Sequence, residues 1–530
     1  MSAKKEFGDF QTPLDLARQV TVLVDSLFGA PSRIIEPTAG LGAFLQAATE
    51  TWGTAPAYRG YELNPAYVEA ARSCLAGNNI TITQQDFFQG DWRGILRPAG
   101  DEKVLVLGNP PWVTNAELGS LGSRNLPAKT NFQGLRGFDA KTGKSNFDIA
   151  EWMLIRLIEA LPPSGAIAML CKTMTARKVL RHFWKTDGGR DRTSLFLIDA
   201  ASHFDASVDA CLLFLRGREG IQKTAAVFDG LSLGERHSEF GLMDGHLVSD
   251  VPTYRNLRDL DGGSPYTWRS GLKHDAAEVM EFTIQNGRYV NGLGEAVELE
   301  GEFAYPLLKS SDLGNGRAVP RKAVLVTQTS TGQETSFIRH AAPRTWAYLQ
   351  AHADKLDSRR SSIYQGRPRF SVFGIGPYSF APWKVAISGL YHTFRFVAVG
   401  PLAGRPVMVD DTCYAVGCRS EDEACLIAEL LNSDVCQRFL RSLVFPDTKR
   451  PVTVDVLRRI SLSALARRVG RLSDLGAYLN AGAPSNEPGE PQLQLLMERG
   501  GPCRTACSCG VGPVEPSPTS GSNQRFPQGR

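Results

Sequence analysis

The chain has 530 residues, a formal net charge of +4 and 42% hydrophobic residues. That length and apolar content allow two folded domains with sizeable cores, whereas so mild a positive charge neither identifies nor excludes a nucleic-acid partner. No stretch approaches the roughly eighteen apolar residues of a membrane span, and the opening MSAKKEFGDFQTP lacks the apolar core of a secretory signal, so a cytoplasmic, intracellular protein without a membrane partner is expected.

The first half alternates short apolar runs with helical periodicity, the pattern of strands and crossover helices in a mostly parallel sheet. LDLARQVTVLVDSLF reads as a helix, RIIEPTAG as strand then turn, AFLQAATETW as a helix and AYRGYELNP as strand then turn. AYVEAARSCLAG is helical, NITITQQDFF and KVLVLGNPPW are strands, and DIAEWMLIRLIEAL is an amphipathic helix. GAIAMLCK, SLFLIDAS and DACLLFLRG supply three more strands, the last two close enough for antiparallel pairing. The fold class expected is α/β, a doubly wound sheet over residues 1–225.

Residues 226–300 carry weaker periodicity and several glycines and read as a bridging region. Short strands with aromatic and glycine-rich turns, such as FSVFGIGPYSFAPWKVAISGLY, then a helical SEDEACLIAELLNSDVCQRFLRSL, make 301–480 an α+β second domain. Residues 481–530 are too rich in Pro, Gly and Ser to support a core and are expected to be disordered. Seven of the ten cysteines, among them Cys74, Cys171 and Cys211, sit singly in apolar or mixed segments and are expected to be reduced core residues. Cys503, Cys507 and Cys509 lack the paired C-x2-C spacing and nearby histidines of a zinc site, so no metal is expected.

Ligands of a doubly wound sheet bind beyond the carboxyl ends of its strands. The first strand end brings Glu36 and Pro37, then Gly40 and Gly42, where the backbone can approach a ligand closely. The second ends in Glu62, twenty-six positions after Glu36, where a carboxylate can accept from both hydroxyls of a ribose. The third offers Asp86 as acceptor for an adenine amino group and Phe87 as a ring face. Three acidic groups in series, without a full glycine cradle, suit a nucleoside that carries no phosphates. The fourth end is Asn109-Pro110-Pro111-Trp112: the Asn109 side-chain carbonyl and the stiffened Pro110 carbonyl are two acceptors for one amino group, and Trp112 can stack on its ring. Each of these features alone is also what an ordinary turn or core aromatic looks like; their order is the signal.

The series FGDFQTP, EPTAGLG, YELNP, QQDFF, GNPPW resembles the motifs of S-adenosylmethionine-dependent DNA adenine methyltransferases in the gamma order, over residues 7 to about 216. The resemblance implies a class I, Rossmann-like catalytic domain. It implies further that Phe10, Thr12 and Pro13 close over the methionine end of S-adenosyl-L-methionine, that Glu36, Pro37 and the Gly40/Gly42 turn line its amino-acid and sulfonium region, and that Glu62 binds the ribose, with Asp86 and Phe87 on the adenine. Asn109, Pro110, Pro111 and Trp112 would hold the target base. SHFDASVDACLLFLRG matches a later family pattern and makes Phe204 the second aromatic, opposite Trp112.

YPLLKSSDLG, YSFAPWKVAISGLY and DDTCYAV resemble TaqI-type C-terminal recognition domains, over about 301–465. Residues 339–370 add Arg339, Arg344, Lys355, Arg359, Arg360, Arg367 and Arg369, with Tyr364 and Phe370 between them, and PDTKRP adds Lys449 and Arg450; basic side chains among aromatics suit phosphate contacts beside a distorted duplex. The implied function is methylation of the 6-amino group of a flipped-out adenine in duplex DNA, by a monomer serving beside a separate restriction endonuclease. The alternatives are a protein-glutamine or RNA methyltransferase sharing the NPPW motif, a cytosine amino-methyltransferase, a combined restriction and modification enzyme, and a catalytically silent DNA-binding module. Glutamine enzymes would leave the large C-terminal domain unexplained, and cytosine enzymes more often carry serine in place of Asn109. A combined enzyme would need a nuclease domain, yet only six residues precede the first motif and no carboxylate and lysine set stands out downstream.

Overall fold

The computed structural model describes residues 11–113 and 148–479, apart from positions 76, 78, 187, 188, 191 and 218. Phe10, the Cys503/Cys507/Cys509 cluster and the 481–530 tail lie outside the described residues. Contacts divide the chain into two compact units. Unit 1 contains residues up to 273, 306–321 and 378–479; unit 2 contains 274–305 and 322–377.

Unit 1 is organised by a ten-stranded sheet. Its strands are β1 (Arg33–Glu36), β2 (Ala57–Glu62), β3 (Ile80–Gln84), β4 (Val104–Gly108), β5 (Ala166–Lys172), β6 (Thr193–Ile198), β7 (Ala210–Arg216), β8 (Thr224–Asp229), β9 (Arg236–Met243) and β10 (His246–Val248). The spatial order is β10-β9-β8-β6-β7-β5-β4-β1-β2-β3. Strands β3, β2, β1, β4 and β5 run parallel, and β7 inserts antiparallel between β5 and β6. The crossover helices are α1 (Leu14–Phe28), α2 (Ala43–Trp52), α3 (Pro65–Cys74), α4 (Ile149–Ala160), α5 (Thr173–Thr186) and α6 (Ala200–Phe204).

The pleat explains the two cores. In β4 every residue is buried; Leu105 and Leu107 point to the face covered by α1, α2 and α3, and Val104 and Val106 to the face covered by α4 and α5. A strand buried on both faces reads as an unbroken apolar run, which is why VLVLG carries no alternation. The sheet does not stop at residue 225. β8 pairs parallel with β6, and β9 and β10 extend it antiparallel, so the first third of the expected bridging region belongs to this sheet. A register shift at Val227/Phe228 breaks the period that would have marked β8 in the sequence.

The expected second domain is also divided differently. Residues 251–268 and 385–475 share one hydrophobic core within unit 1, around the strands Trp383–Ser388 and Cys413–Cys418 and the helices Glu421–Asn432 and Asp434–Leu443. Arg177 of α5 pairs with Asp447 and its guanidinium lies 4.3 Å from the Phe445 ring centre, joining this region to the sheet within unit 1. Unit 2 keeps the antiparallel strands Glu281–Gln285, Arg288–Asn291 and Lys322–Leu325 and the helix Pro343–Ala351. The seven described cysteines are free thiols; five are buried, while Cys74 and Cys425 are exposed. Among the described residues no helix is long and apolar enough to cross a membrane, and no group of three or more metal-ligating side chains converges.

Candidate active site

The strand order reverses between β1 and β4, and a solvent-open cleft of about 960 Å³ lies at the carboxyl ends there. Thr12, Glu36, Pro37, Gly40, Glu62, Asp86, Phe87, Asn109, Pro110 and Pro111 all line it. Pro13 and Gly42 do not line it; they stand at the N-caps of α1 and α2.

The glycine turn is held by the acid of the next strand. Gly40 takes a φ of 53° and its N–H donates to Glu62 Oε2 at 2.8 Å, while Glu62 Oε1 accepts from Asn64 N–H at 2.8 Å. A Cβ at Gly40 would come within 2.7 Å of Gln11 Oε1, which itself accepts from Leu41 N–H at 3.1 Å. Each Glu62 oxygen thus has one backbone partner and keeps a lone pair for a diol.

Glu36 is 2% exposed. Burial holds its carboxyl well above the usual carboxylate range; the Leu45 backbone opposes this and the Glu62 charge adds to it. Glu36 Oε2 is buried with no hydrogen-bond partner among the described residues. A buried carboxyl oxygen without a partner is costly, and the α-ammonium of an amino acid supplies both the missing donor and the charge that returns the acid to its ionised form. The residues present therefore fit S-adenosyl-L-methionine.

Asp86 caps the 3-10 turn Phe87–Gln89: Oδ1 accepts from Phe88 N–H at 2.9 Å and Oδ2 from Gln89 Nε2 at 3.1 Å. Phe87 stacks on Trp92 at 4.5 Å and is largely buried. Phe88, which motif reasoning passed over, lines the same cleft and is less buried than its neighbour.

Asn109 leaves β4 half-exposed. Its Nδ2 donates to Thr12 Oγ1 at 3.3 Å and its backbone carbonyl accepts from Thr38 Oγ1 at 3.3 Å, which fixes the amide with its Oδ1 buried at the strand end. Trp112 and Phe204 are brought together, but edge to face, with ring centres 5.1 Å apart and planes at 67°. Both are buried. A base between two ring faces needs centres about 7 Å apart, twice the roughly 3.5 Å contact distance, so this pair is a closed contact and not an open slot.

Lys172 was missed by sequence reasoning. It ends β5, and its Nζ donates to the Trp112 carbonyl at 2.9 Å and lies 3.0 Å from Asp148, the buried cap of α4. The signal available was a lysine at the end of a run of buried apolar residues, AIAMLCK.

A parallel sheet in the order 3-2-1-4-5, an antiparallel strand inserted beyond it, and acidic strand ends around the switch point define a class I methyltransferase. No family model matches the chain. It is 41% identical over 472 residues to the type II methyltransferase M.NspV of Nostoc sp. (strain ATCC 29411 / PCC 7524), covering 88% of this chain and 98% of that one. The type IIL restriction-modification enzyme MmeI, solved in complex with DNA, aligns with a TM-score of 0.49 at 13% identity over 92% of this chain and 72% of its own. A type I restriction-modification methyltransferase subunit from Streptococcus thermophilus aligns with a TM-score of 0.30 at 17% identity over 42% and 47%. The chain belongs to the type II methyltransferases, the DNA methyltransferases of restriction-modification systems, and S-adenosyl-L-methionine is its cofactor.

Proposed function

We propose that the chain methylates the 6-amino group of an adenine flipped out of a short duplex DNA site, as a gamma-order enzyme whose TaqI-type recognition region follows its catalytic domain. The observation that carries this reading is Asn109, held by Thr12 and Thr38 at the end of β4 with Pro110 beside it in the cleft that Glu36 and Glu62 also line.

The cofactor, when bound, supplies an activated methyl group. The chain's residues do the rest. Adenine's amino lone pair is delocalised into its ring; hydrogen bonds from that amino group to Asn109 Oδ1 and the Pro110 carbonyl favour charge developing on the nitrogen and orient it. No separate general base is required, because the amino group becomes acidic as it takes up the methyl. Trp112 and Phe204 part as the base enters, each offering a face, and close on one another when it leaves. Phe10, Thr12 and Pro13 cover the methionine end, Glu36 and Glu62 bind the amino acid and the ribose, and Asp86 with Phe87 holds the cofactor's adenine. The enzyme works in the cytoplasm as a monomer on duplex DNA, beside a separate endonuclease that cuts the same site.

The test is expression in a host without adenine methylation, followed by single-molecule mapping of modified bases. Methyladenine at one recurring short sequence supports the reading; unmodified DNA from a folded, cofactor-binding protein, or methylcytosine instead, overturns it.

A further inference from the structure

In unit 2, two loops are fixed to one another by side chains that are themselves buried. Thr327, Gln328, Thr335 and Ser371 are each at most 2% exposed. Thr327 Oγ1 donates to the Phe370 carbonyl at 2.8 Å, Val372 N–H donates to Gln328 Oε1 at 2.9 Å, and Thr335 Oγ1 donates to the Arg369 carbonyl. Further out, Thr331 Oγ1 donates to the Ile375 carbonyl at 3.2 Å. Phe370 is buried at a φ of 66°, a conformation that costs a side-chain-bearing residue and persists only where its surroundings impose it. Polar groups taken out of water to immobilise two surface loops mark a surface that has to be preformed.

The basic residues of this region fall into two sets. Arg344 pairs with Glu300, Lys355 with Glu278 at 2.9 Å, and Arg369 with Asp357 at 2.6 Å. Arg359 donates to the carbonyls of Leu356, His274 and Ser371 and lies 3.7 Å from the Tyr364 ring centre. These four are engaged within unit 2. Arg339, Arg360 and Arg367 are exposed, and among the described residues none has an ion-pair partner; Arg339 lies in helix Ile338–Ala341, outside both loops. Arg367 stands between Gly366 and Pro368, with a guanidinium nitrogen 3.8 Å from where a Cβ on Gly332 would sit, beside the exposed Ser330 and Thr331. Arg360 follows helix Ala353–Asp357 at the start of the second loop, next to Arg359, which donates to the Ser371 carbonyl.

We propose that loops 327–335 and 358–375 form a rigid DNA-contacting ledge, on which Arg367 reads a base edge and Arg360 neutralises a backbone phosphate. An exposed guanidinium flanked by small polar groups suits bidentate donation to a base, and a second exposed cation on the same loop suits a phosphate, which carries no sequence information. The inference rests on the DNA methyltransferase reading and deepens it.

The experiment measures binding of the full chain, saturated with S-adenosyl-L-homocysteine, to a labelled 30-base-pair duplex that carries the mapped site, across a salt series. Loss of one phosphate contact in R360A lowers the slope of log affinity against log salt by about 1. R367A reduces discrimination against a site altered at one base pair roughly 5-fold to 100-fold. R369A and R344A, by contrast, lower the melting temperature and leave slope and discrimination alone. Wild-type slope in R360A together with wild-type discrimination in R367A overturns the proposal; one of the two unchanged removes that arginine from the ledge. Failure of the wild-type chain to methylate or bind the duplex would instead overturn the DNA reading itself.

Discussion

The cleft at the switch point and the basic segment of unit 2 are equally conspicuous in the sequence, yet their polar groups are used in opposite ways. In the cleft, the Glu36 carboxyl is buried with one oxygen lacking any partner among the described residues, and each Glu62 oxygen has a single backbone donor. In unit 2, four of seven cations between 339 and 369 are committed to carboxylates, carbonyls or a ring of the same unit. Sites for ligands are found where the chain leaves a desolvated polar group unsatisfied, since that cost persists until something else supplies the partner. Counting charges finds neither.

The contrast breaks most visibly at Asn109. Replacement by Ala is expected to lower the single-turnover methylation rate about 10²-fold to 10³-fold, the usual effect of deleting one oriented hydrogen-bonding group at a reacting atom, with S-adenosyl-L-methionine affinity unchanged by calorimetry. A variant that turns over normally would mean that the cleft's acceptors are structural, like the arginines of unit 2.

At Glu36 the expected loss is in cofactor binding. Glu36→Gln should raise the Kd for S-adenosyl-L-methionine about tenfold by removing a charge-assisted partner. The raised carboxyl is neutral at low pH, and a bound ammonium favours its ionised form, so affinity in the wild type rises as pH climbs from the ordinary carboxylate value to the raised one and then levels. Binding in that window releases a proton, readable as a buffer-dependent calorimetric enthalpy; Glu36→Gln should abolish both signatures.

Lys172 separates positioning from chemistry. Lys172→Met frees the Trp112 carbonyl and strands the buried Asp148 charge, so it is paired with Asp148→Asn to avoid an unmatched ion. The double variant is expected to lose roughly tenfold in kcat while cofactor affinity is retained, because the loop that carries Asn109 loses its tether but the strand ends do not move. Unchanged kcat would make the lysine a purely structural partner of α4.

How much of this the sequence disclosed follows the same physics. The strand ends Glu36, Glu62, Asp86 and Asn109 were legible because a doubly wound sheet forces them to one edge whatever the loops do. The continuation of the sheet through β8 to β10 was not, because a register shift interrupts the β8–β9 pairing and β10 has only three residues. Nor was the composition of unit 2, since the chain passes through unit 1 between residues 306 and 321 and returns at 322. The partners that neutralise Arg344 and Lys355 lie 44 and 77 positions away, beyond any local pattern. Trp112 and Phe204 were identified as aromatics of one pair, but their edge-to-face closure depends on the approach of α6 to the end of β4, which no spacing encodes.

The smallest effect is expected at Glu300, where unit 2 uses a carboxylate to finish a helix. Glu300 accepts from the backbone N–H groups of Arg344 and Thr345, at 3.0 and 2.8 Å, and from the Thr345 hydroxyl at 2.7 Å, at the start of helix Pro343–Ala351. Burial works to raise its pKa, but the hydrogen bonds from Thr345 and the Arg344 backbone outweigh it and bring the group down to about 2. A carboxylate depressed in the folded state contributes stability above its unfolded value, near 4.5, and loses that contribution as pH falls toward 2. Glu300→Gln should therefore cost about 1 kcal/mol at neutral pH, as removal of a cap does, and the cost should shrink in melting curves taken between pH 4.5 and 3. Because Arg344 is already paired with Glu300, the salt slope of duplex binding should stay at the wild-type value. A variant that kept its melting temperature but changed that slope would move Arg344 from the structural set of cations to the DNA-contacting one, and the division within unit 2 would have to be redrawn.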